Sequence, residues 1–390
     1  MQSQQLRRFY RSDPRGSTPS GAATLDAAVD SVTMGAAEEA ALLNPSRPEF
    51  MWTANAKHCW FGLSVPRSGY GIENPDDVYR HVAVDDSSSY VIRGRLARHP
   101  ARDLTFVLYG EIPGTGAVTQ EGAPILASLD VSQMQVGADG TFIITVGPSP
   151  ANGQTNHIQT TKGASLIIVR DSLSDWGTEL PSELTVARES GPGYQESSFP
   201  GKASLAAQLA SKIGRYWVQW NNKFIYPMPV NSIPAPPPRP IGFATAGYFG
   251  LGNQQALVVT VDPKKAQYVG FQLADPWGVA LEYTDHTGSL NNSQAKANGD
   301  GSLTYVISAA DPGVWNWLDT SGLSAGTLAI RWQAVPPGTD ATGAVRSVTL
   351  VALADLPSAL PPGTTFVNRE QRRGQLAARS ASYERRLTGR

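Results

Sequence analysis

The fold of this chain is decided by one stretch of sequence that occurs twice. The two copies are Asp139-Gly140-Thr141-Phe142-Ile143-Ile144-Thr145-Val146 and Asp300-Gly301-Ser302-Leu303-Thr304-Tyr305-Val306-Ile307. An asparagine segment follows each copy, at Asn156 and Asn316, and an apolar run then ends in Arg170 or Arg331. The aspartate, glycine and arginine recur at an interval of 161 positions. Solenoid repeats are about 20–50 residues long, so this longer period predicts two similar β-rich modules.

Short runs that alternate apolar with polar residues surround both copies. Such runs are typical of half-buried antiparallel strands, and the glycine of each Asp-Gly pair tolerates the positive φ of a tight hairpin. The predicted strands are 89–96, 104–109, 125–130, 141–146, 165–170 and 183–187 in the first module, and 256–261, 268–273, 279–283, 302–307, 327–335 and 347–352 in the second. The sequence therefore predicts a mainly β protein.

The segments outside the strands predict a few helices. Residues 1–20 are polar and read as a disordered leader, whereas the Ala-rich stretch 24–43 has helical spacing and ends at Asn44-Pro45. With the aromatic residues Trp52, Trp60 and Phe61, it predicts a lid on the first module.

A second helix is predicted between the modules. Its apolar side chains recur every three or four residues; they are Leu205, Leu209, Ile213, Trp217, Trp220 and Phe224. This helix is either a strut between the modules or a dimer face. The Pro-rich stretch 227–240 that follows predicts an extended linker.

The tail from Arg369 is helical in character and basic. Such a tail could touch nucleic acid or acidic lipid, but we favour a helix that is solvated or docks on the protein's own acidic surface. The net charge of −1 gives no whole-chain attraction for nucleic acid, so we expect no nucleic-acid partner.

Composition restricts compartment and cofactor. Cys59 is the single cysteine and cannot form an internal disulfide. The five histidines are scattered without metal-ligand spacing, so we expect no metal and no other cofactor. Neither a signal peptide nor a membrane-spanning stretch is evident, and a cytoplasmic location is the simplest expectation.

Several motifs resemble one known family. They are Asn74-Pro75-Asp76-Asp77-Val78-Tyr79-Arg80, the two Asp-Gly hairpins, the segment 268–291, and Asp311-Pro312-Gly313-Val314-Trp315-Asn316-Trp317-Leu318-Asp319-Thr320 leading to Arg331-Trp332. In this order they resemble the family catalogued as domain of unknown function 1214, over about residues 70–355. The resemblance implies a jelly-roll-like antiparallel β-sandwich and no established reaction.

Together these features predict two tandem jelly-roll-like β-sandwich modules. The predicted division is a leader and lid over 1–70, the first module over 71–200, helix and linker over 201–240, the second module over 241–355, and a basic tail over 356–390.

His286 is the best candidate for acid–base chemistry. It lies in a loop with Asp285, downstream of Tyr283. A histidine beside a carboxylate can act as general acid or base near pH 7. The alternative is a loop in which Asp285 makes local turn bonds and His286 caps a strand end.

The segment around Asp319 is a second candidate. Trp315 and Trp317 could offer flat faces to a sugar or ring-bearing ligand, with Asn316 and Asp319 as polar partners. The competing interpretation is that the tryptophans belong to the core. Because an asparagine also stands at the equivalent position of module one, the asparagine itself is better explained as structural.

Arg170 and Arg331 end equivalent apolar strands and need a charged partner or solvent. We expect a structural ion pair with Asp139, Asp300 or Asp319, and regard binding of a substrate carboxylate as the lesser option.

The leading hypothesis is a cofactor-free hydrolase or lyase that acts on a small organic or sugar-like molecule at one end of the second module. His286 would be the acid or base, oriented by Asp285, while Asp319, Arg331 and Tyr283 position the substrate. The alternative is a non-catalytic scaffold that binds a glycan or protein; a homo-oligomer is compatible with either hypothesis.

Overall fold

A computed structural model describes residues 2–60, 62–193, 198–237 and 242–388. Within these ranges the chain forms nineteen strands in five sheets. The strands are β1 Met51–Thr53, β2 His58–Trp60, β3 Leu63–Val65, β4 Asp77–Ala83, β5 Ser89–Arg95, β6 Asp103–Tyr109, β7 Ile125–Asp130, β8 Thr141–Gly147, β9 His157–Gln159, β10 Leu166–Ser172, β11 Glu183–Ser190, β12 Phe243–Gly250, β13 Gln255–Val261, β14 Tyr268–Ala274, β15 Ser289–Asn291, β16 Leu303–Ser308, β17 Trp317–Asp319, β18 Ala325–Gln333 and β19 Val345–Ala352. The mainly β prediction is confirmed.

Strands β4 to β11 form two sheets around one core. One sheet has the order β1-β4-β10-β6-β7 and the other β11-β5-β8-β9. Apolar residues from both sheets, such as Phe106, Ile144 and Val169, lie together in a buried cluster.

Strands β12 to β19 repeat this strand order. Their sheets are β12-β18-β14-β15 and β17-β16-β13-β19, so each strand from β4 to β11 has a counterpart eight strands later. Their own core contains Phe271, Tyr305 and Trp332. The two-stranded sheet β2-β3 lies outside both sets.

The repeated Asp-Gly turns have the same local geometry. Gly140 and Gly301 both have φ of 81°, a value that favours glycine. Asp139 accepts the backbone N–H of Thr141, as Asp300 does that of Ser302. One pairing in each set is parallel rather than antiparallel as expected, because β9 runs along β8 and β17 along β16.

The helical segments are more extensive than the sequence predicts. They are α1 Gln2–Ser12, a 3-10 turn Pro14–Ser17, α2 Pro19–Leu42, α3 Phe199–Trp220 with a π-helical end Asn221–Ile225, a 3-10 turn Leu353–Asp355, α4 Leu356–Ala359 and α5 Arg369–Thr388. The expected disordered leader is therefore wrong over most of its length. Apolar residues of α1 pack into the helical layer, and the Thr18 hydroxyl caps α2 by accepting the N–H of Gly21.

Helix α3 packs against α1 and α2, and its Trp220 contacts both sets of sheets, by donating to Thr119 O of the first set and packing against Ala274 and Ala329 of the second. Leu6, Val29 and Ile213 share one buried cluster with Trp277 of the loop after β14. Helix α2 also meets β1 and β4 of the first set and β18 of the second, and its Leu42 packs with residues of β4, β6 and β10. Phe61, the side chain of Trp60 and residues 238–241 of the predicted linker lie outside the described residues.

One predicted strand is wrong, and eight strands of the described residues were not predicted: β1, β2, β3, β4, β9, β12, β15 and β17. Residues 279–283 form no strand and make only a single bridge, between Ala280 and Ala274. The first strand of each set, β4 and β12, was missed, because neither shows a clean alternation of apolar and polar residues.

No helix among the described residues is long and apolar enough to cross a membrane.

Candidate functional site

The structure brings His286 together with Asp319. The parallel pairing of β17 with β16 carries Asp319 to the end of the sheet, where its backbone N–H donates to Thr287 O at 3.0 Å. His286 Nδ1 lies 2.8 Å from Asp319 Oδ2. The other carboxylate oxygen accepts the N–H of Ser321 at 2.8 Å, so the carboxylate is held on both sides.

The side chains of His286 and Asp319 differ in their exposure to solvent. The Asp319 side chain is 8% exposed and that of His286 is 46% exposed. The hydrogen bond to Asp319 raises the pKa of His286, and the charges of Asp319, Asp285 and Glu282 add to it. An ionised carboxylate can only accept a hydrogen bond, so Nδ1 carries the proton. The neutral imidazole therefore has its free lone pair on Nε2. This geometry provides a proton donor and acceptor near neutral pH.

The other residues predicted for this site lie elsewhere or act differently. Asp285 is exposed, and the carboxylate bonded to His286 is that of Asp319, so the orienting role assigned to Asp285 is wrong. Tyr283 is only 2% exposed. Its ring packs against Trp176 and Tyr383, which leaves it in an interior aromatic cluster rather than at the mouth of a site.

The tryptophans do not offer free faces. Trp317 is 7% exposed and lies under Arg372, whose guanidinium carbon is 5.0 Å from the ring centroid. Trp315 is half-buried, with Lys296 Nζ 5.0 Å from its ring centroid. A cation of the same chain therefore occupies one face of each ring, contrary to the expected pair of open stacking faces.

Asn316 is 8% exposed, and both of its amide N–H groups donate within the chain. Its Oδ1 accepts the Lys296 N–H at 2.7 Å, and its Nδ2 donates to Lys296 O at 2.8 Å and to Thr304 O at 2.9 Å. The predicted substrate contact is wrong, and the structural interpretation explains the residue.

The predicted ion pairs of Arg170 and Arg331 are absent from the described residues. Arg170 donates to the Tyr109 hydroxyl at 3.1 Å. Arg331 donates to Gln272 Oε1 and to Ile72 O. Arg331 therefore does not belong to the His286 site, and neither arginine contacts the aspartates of the hairpins.

A buried acidic group was missed by the sequence analysis. Glu38 and Glu39 of α2 and Glu73 are at most 9% exposed, and each has one carboxyl oxygen without a hydrogen-bond partner. Burial raises the pKa of Glu38 to about 8 and that of Glu73 to about 7. Tyr70 lies among them, with its hydroxyl 3.5 Å from Glu39 Oε1.

The acidic group connects α2 with the first set of sheets. His81 of β4 has its Nδ1 2.6 Å from Glu39 Oε1. Two adjacent glutamates inside an otherwise Ala-rich helix are the one sequence signal of this group. No cluster of three or more His, Cys, Asp or Glu side chains suited to a metal occurs in the part of the chain that the structure describes.

Comparisons with known proteins identify the fold and no activity. No protein-family model matches the chain, and no curated protein does. The crystal structure of an uncharacterised protein from Burkholderia cenocepacia is similar, with a TM-score of 0.75, 23% identity, and coverage of 90% of this chain and 95% of that chain. A protein from Vibrio parahaemolyticus matches with a TM-score of 0.45 and 9% identity, over 84% of this chain and 98% of that chain. This chain therefore shares its fold with an uncharacterised bacterial protein.

Proposed function

We propose that the chain is a cofactor-free enzyme, of the hydrolase or lyase type, that acts on a small organic or sugar-like molecule. The observation that carries the proposal is the 2.8 Å contact between His286 Nδ1 and Asp319 Oδ2. A half-exposed imidazole oriented by a buried carboxylate is suited to general acid–base catalysis.

The chemistry follows from the two ring nitrogens. Asp319 holds the proton on Nδ1, so that Nε2 takes a proton from a substrate or from water, and the resulting imidazolium is stabilised by the same carboxylate. The raised pKa of His286 increases its protonated share at neutral pH. Both the acid and the base form are then available in one turnover.

We also infer that the two sets of sheets are tandem jelly-roll-like β-sandwich modules derived by duplication. The common strand order of β4–β11 and β12–β19 supports this, and so does the common geometry at Gly140 and Gly301. Membership of the family with domain of unknown function 1214 remains part of the same proposal.

Turnover of a substrate panel tests the enzymatic proposal. Small esters, lactones, glycosides and β-hydroxy acids are incubated with the wild-type chain, His286→Gln and the control His99→Gln, since His99 is exposed. We expect product with wild type and His99→Gln, and loss of turnover with His286→Gln at an unchanged melting temperature.

Two results oppose the proposal. Loss of folding in His286→Gln would assign His286 a structural role. Ligand-induced stabilisation without any product across the panel would favour the non-catalytic binding scaffold instead.

A further inference from the structure

The loop that carries His286 is closed at its base. We name residues 282–289 the histidine loop. The Gly288 N–H donates to Glu282 O at 3.1 Å. A Cβ atom on Gly288 would lie 2.4 Å from the same carbonyl oxygen, so this close approach requires glycine. The two ends of the loop are therefore joined directly, and His286 lies between them.

Arg379 of α5 holds both ends of the histidine loop. Its Nε donates to Tyr283 O at 2.6 Å, and its Nη2 donates to Ser289 Oγ at 2.9 Å. Its Nη1 donates to Gln294 Oε1 at 3.0 Å, and this oxygen also accepts the Asn291 N–H at 3.2 Å. One guanidinium group therefore connects the loop with the segment that follows it.

The Arg379 side chain is itself held in place. It belongs to a residue that is 7% exposed, and its guanidinium carbon lies 4.4 Å from the centroid of the Trp176 ring. A guanidinium presents its N–H groups in a rigid planar fork, whereas the ammonium of a lysine is a compact point charge. A rigid group on α5 therefore sets the spacing between the two ends of the histidine loop.

The same helix is anchored on the first set of sheets. Arg386 donates to Pro75 O at 2.6 Å and also to Asp77 O, where β4 begins. Trp176, in the loop after β10, lies under the guanidinium groups of both Arg379 and Arg386. Helix α5 therefore connects the first set of sheets with the histidine loop of the second.

The acidic groups that act on the imidazole of His286 come from two places. Asp285 and Glu282 act on it through their charges, and both belong to the histidine loop and move with it. Asp319 lies outside the loop, in β17, and its Oδ2 is 2.8 Å from His286 Nδ1. The contact with Asp319 therefore depends on where the histidine loop is held.

We propose that Arg379 is a positioning residue for His286: by fixing both ends of the histidine loop, it keeps Nδ1 in contact with Asp319. The C-terminal helix is then part of the site, although it contributes no group to the chemistry. The catalytic consequence rests on the proposed function, whereas the position of the imidazole does not.

NMR titration of the His286 imidazole tests the proposal without a substrate. Arg379→Lys keeps the positive charge but loses the fork. We expect the pKa of His286 to fall towards 6.5 in this variant, because the hydrogen bond to Asp319 is the leading cause of its raised value. Arg379→Gln should give a fall as well, although the loss of a positive charge alone would raise this pKa. The direction of the shift therefore separates positioning from a charge effect.

Arg386→Lys is the matched control. Arg386 is 6% exposed and lies on the same helix, and its hydrogen bonds go to Pro75 and Asp77 instead of the histidine loop. The pKa of His286 in this variant should equal that of wild type. An equal fall in Arg386→Lys would show that general loosening of α5, and not Arg379 itself, moves the imidazole.

A change on the loop covers the case in which the Arg379 variants do not fold. Ser289→Ala removes one of the two anchoring contacts and should lower the pKa of His286 by a smaller amount. The Asp319 N–H donates to Thr287 O at 3.0 Å, and its hydrogen exchange should be faster in this variant than in wild type.

Turnover distinguishes this proposal from the proposed function. If wild type converts a substrate, Arg379→Lys should lower kcat about tenfold or more with little change in KM. If wild type converts none, the enzymatic proposal fails, while the pKa of His286 still decides whether Arg379 positions it. A wild-type pKa of His286 in the folded variants of Arg379 and Ser289, or a rise in Arg379→Gln, would overturn the positioning role.

Discussion

Asn156 and Asn316 stand 160 positions apart and make the same pair of hydrogen bonds. The Asn156 side chain bridges the N–H and C=O of Gln135, each at 2.8 Å. The Asn316 side chain bridges the N–H and C=O of Lys296, at 2.7 and 2.8 Å. Gln135 and Lys296 are themselves 161 positions apart, so the repeat preserves a tertiary contact as well as a turn.

We predict that Asn316→Ala destabilises the fold more than Asn156→Ala does. Asn316 is 8% exposed and donates additionally to Thr304 O, whereas Asn156 is half-buried. Leaving buried backbone groups without partners costs about 2 kcal/mol at Asn316 and about 1 kcal/mol at Asn156. Urea unfolding of both variants measures the difference, and Asn253→Ala at an exposed turn position is the control. Equal losses at both sites would contradict the role of burial.

We predict a loss of stability as the pH rises through the range set by the acidic group. Burial raises the pKa of Glu38 from 4.5 to about 8, so the folded chain holds a proton that the unfolded chain releases above about pH 4.5. The stabilisation from this proton is complete below about pH 4.5 and is lost progressively as the pH rises to about 8. The charge of Glu39 also raises the Glu38 pKa, and burial raises the Glu73 pKa in the same direction.

Comparison of wild type with Glu38→Gln isolates this contribution. A glutamine keeps the neutral form, so the variant should lose less stability than wild type between pH 5 and pH 8, by an amount on the order of a few kcal/mol. Glu49→Gln is the control, because Glu49 is exposed. Parallel pH profiles of wild type and Glu38→Gln would refute a buried, protonated Glu38.

Three arginines of the basic tail are structural, spaced seven residues apart along α5. Arg372, Arg379 and Arg386 are 5%, 7% and 6% exposed. Arg379 donates to Tyr283 O at 2.6 Å, and Arg386 donates to Pro75 O at 2.6 Å. The helix therefore docks on the chain itself, as we favoured, through buried hydrogen bonds and through an ion pair between Arg372 and Asp311.

We predict that Arg379→Ala lowers the free energy of unfolding by about 3 kcal/mol, because it leaves three acceptors without a donor and uncovers Trp176. Arg373→Ala should change it by less than about 0.5 kcal/mol, since Arg373 is exposed. The loss in Arg379→Ala should persist at high salt, where surface attraction is screened. A loss that disappears in high salt would instead indicate attraction at the surface.

The sequence predicted most strands because their alternation and turns are local properties. Gly140 and Gly301 mark the hairpins directly, and the strands that follow them begin within one residue of the predicted positions. The first strand of each set was not predicted, because neither alternates apolar with polar residues. Asp77–Ala83 is buried along nearly its whole length, and Phe243–Gly250 contains several small residues. These two segments form strands because they pair and pack with residues that are distant in sequence, and the local spacing of apolar residues does not show such partners.

The sequence identified His286 as a candidate residue but not the side chain that it binds. His286 was found because histidine beside acidic residues is a local pattern. Its bond to Asp319 crosses 33 positions, which no local pattern of residues reports. The acidic group of α2 has partners on three separate segments, so one local window could show only the adjacent Glu38 and Glu39.

The contact between His286 and Asp319 can be tested without a substrate. We predict that Asp319→Asn lowers the pKa of His286 towards 6.5, because the hydrogen bond to Asp319 is the leading cause of its raised value. Asn can still accept from Nδ1–H, so the fold should be retained. Asp285→Asn should lower the pKa less, since Asp285 acts on His286 through its charge alone. NMR titration of the imidazole measures both shifts, and an unchanged pKa in Asp319→Asn would remove the basis for acid–base chemistry at this position.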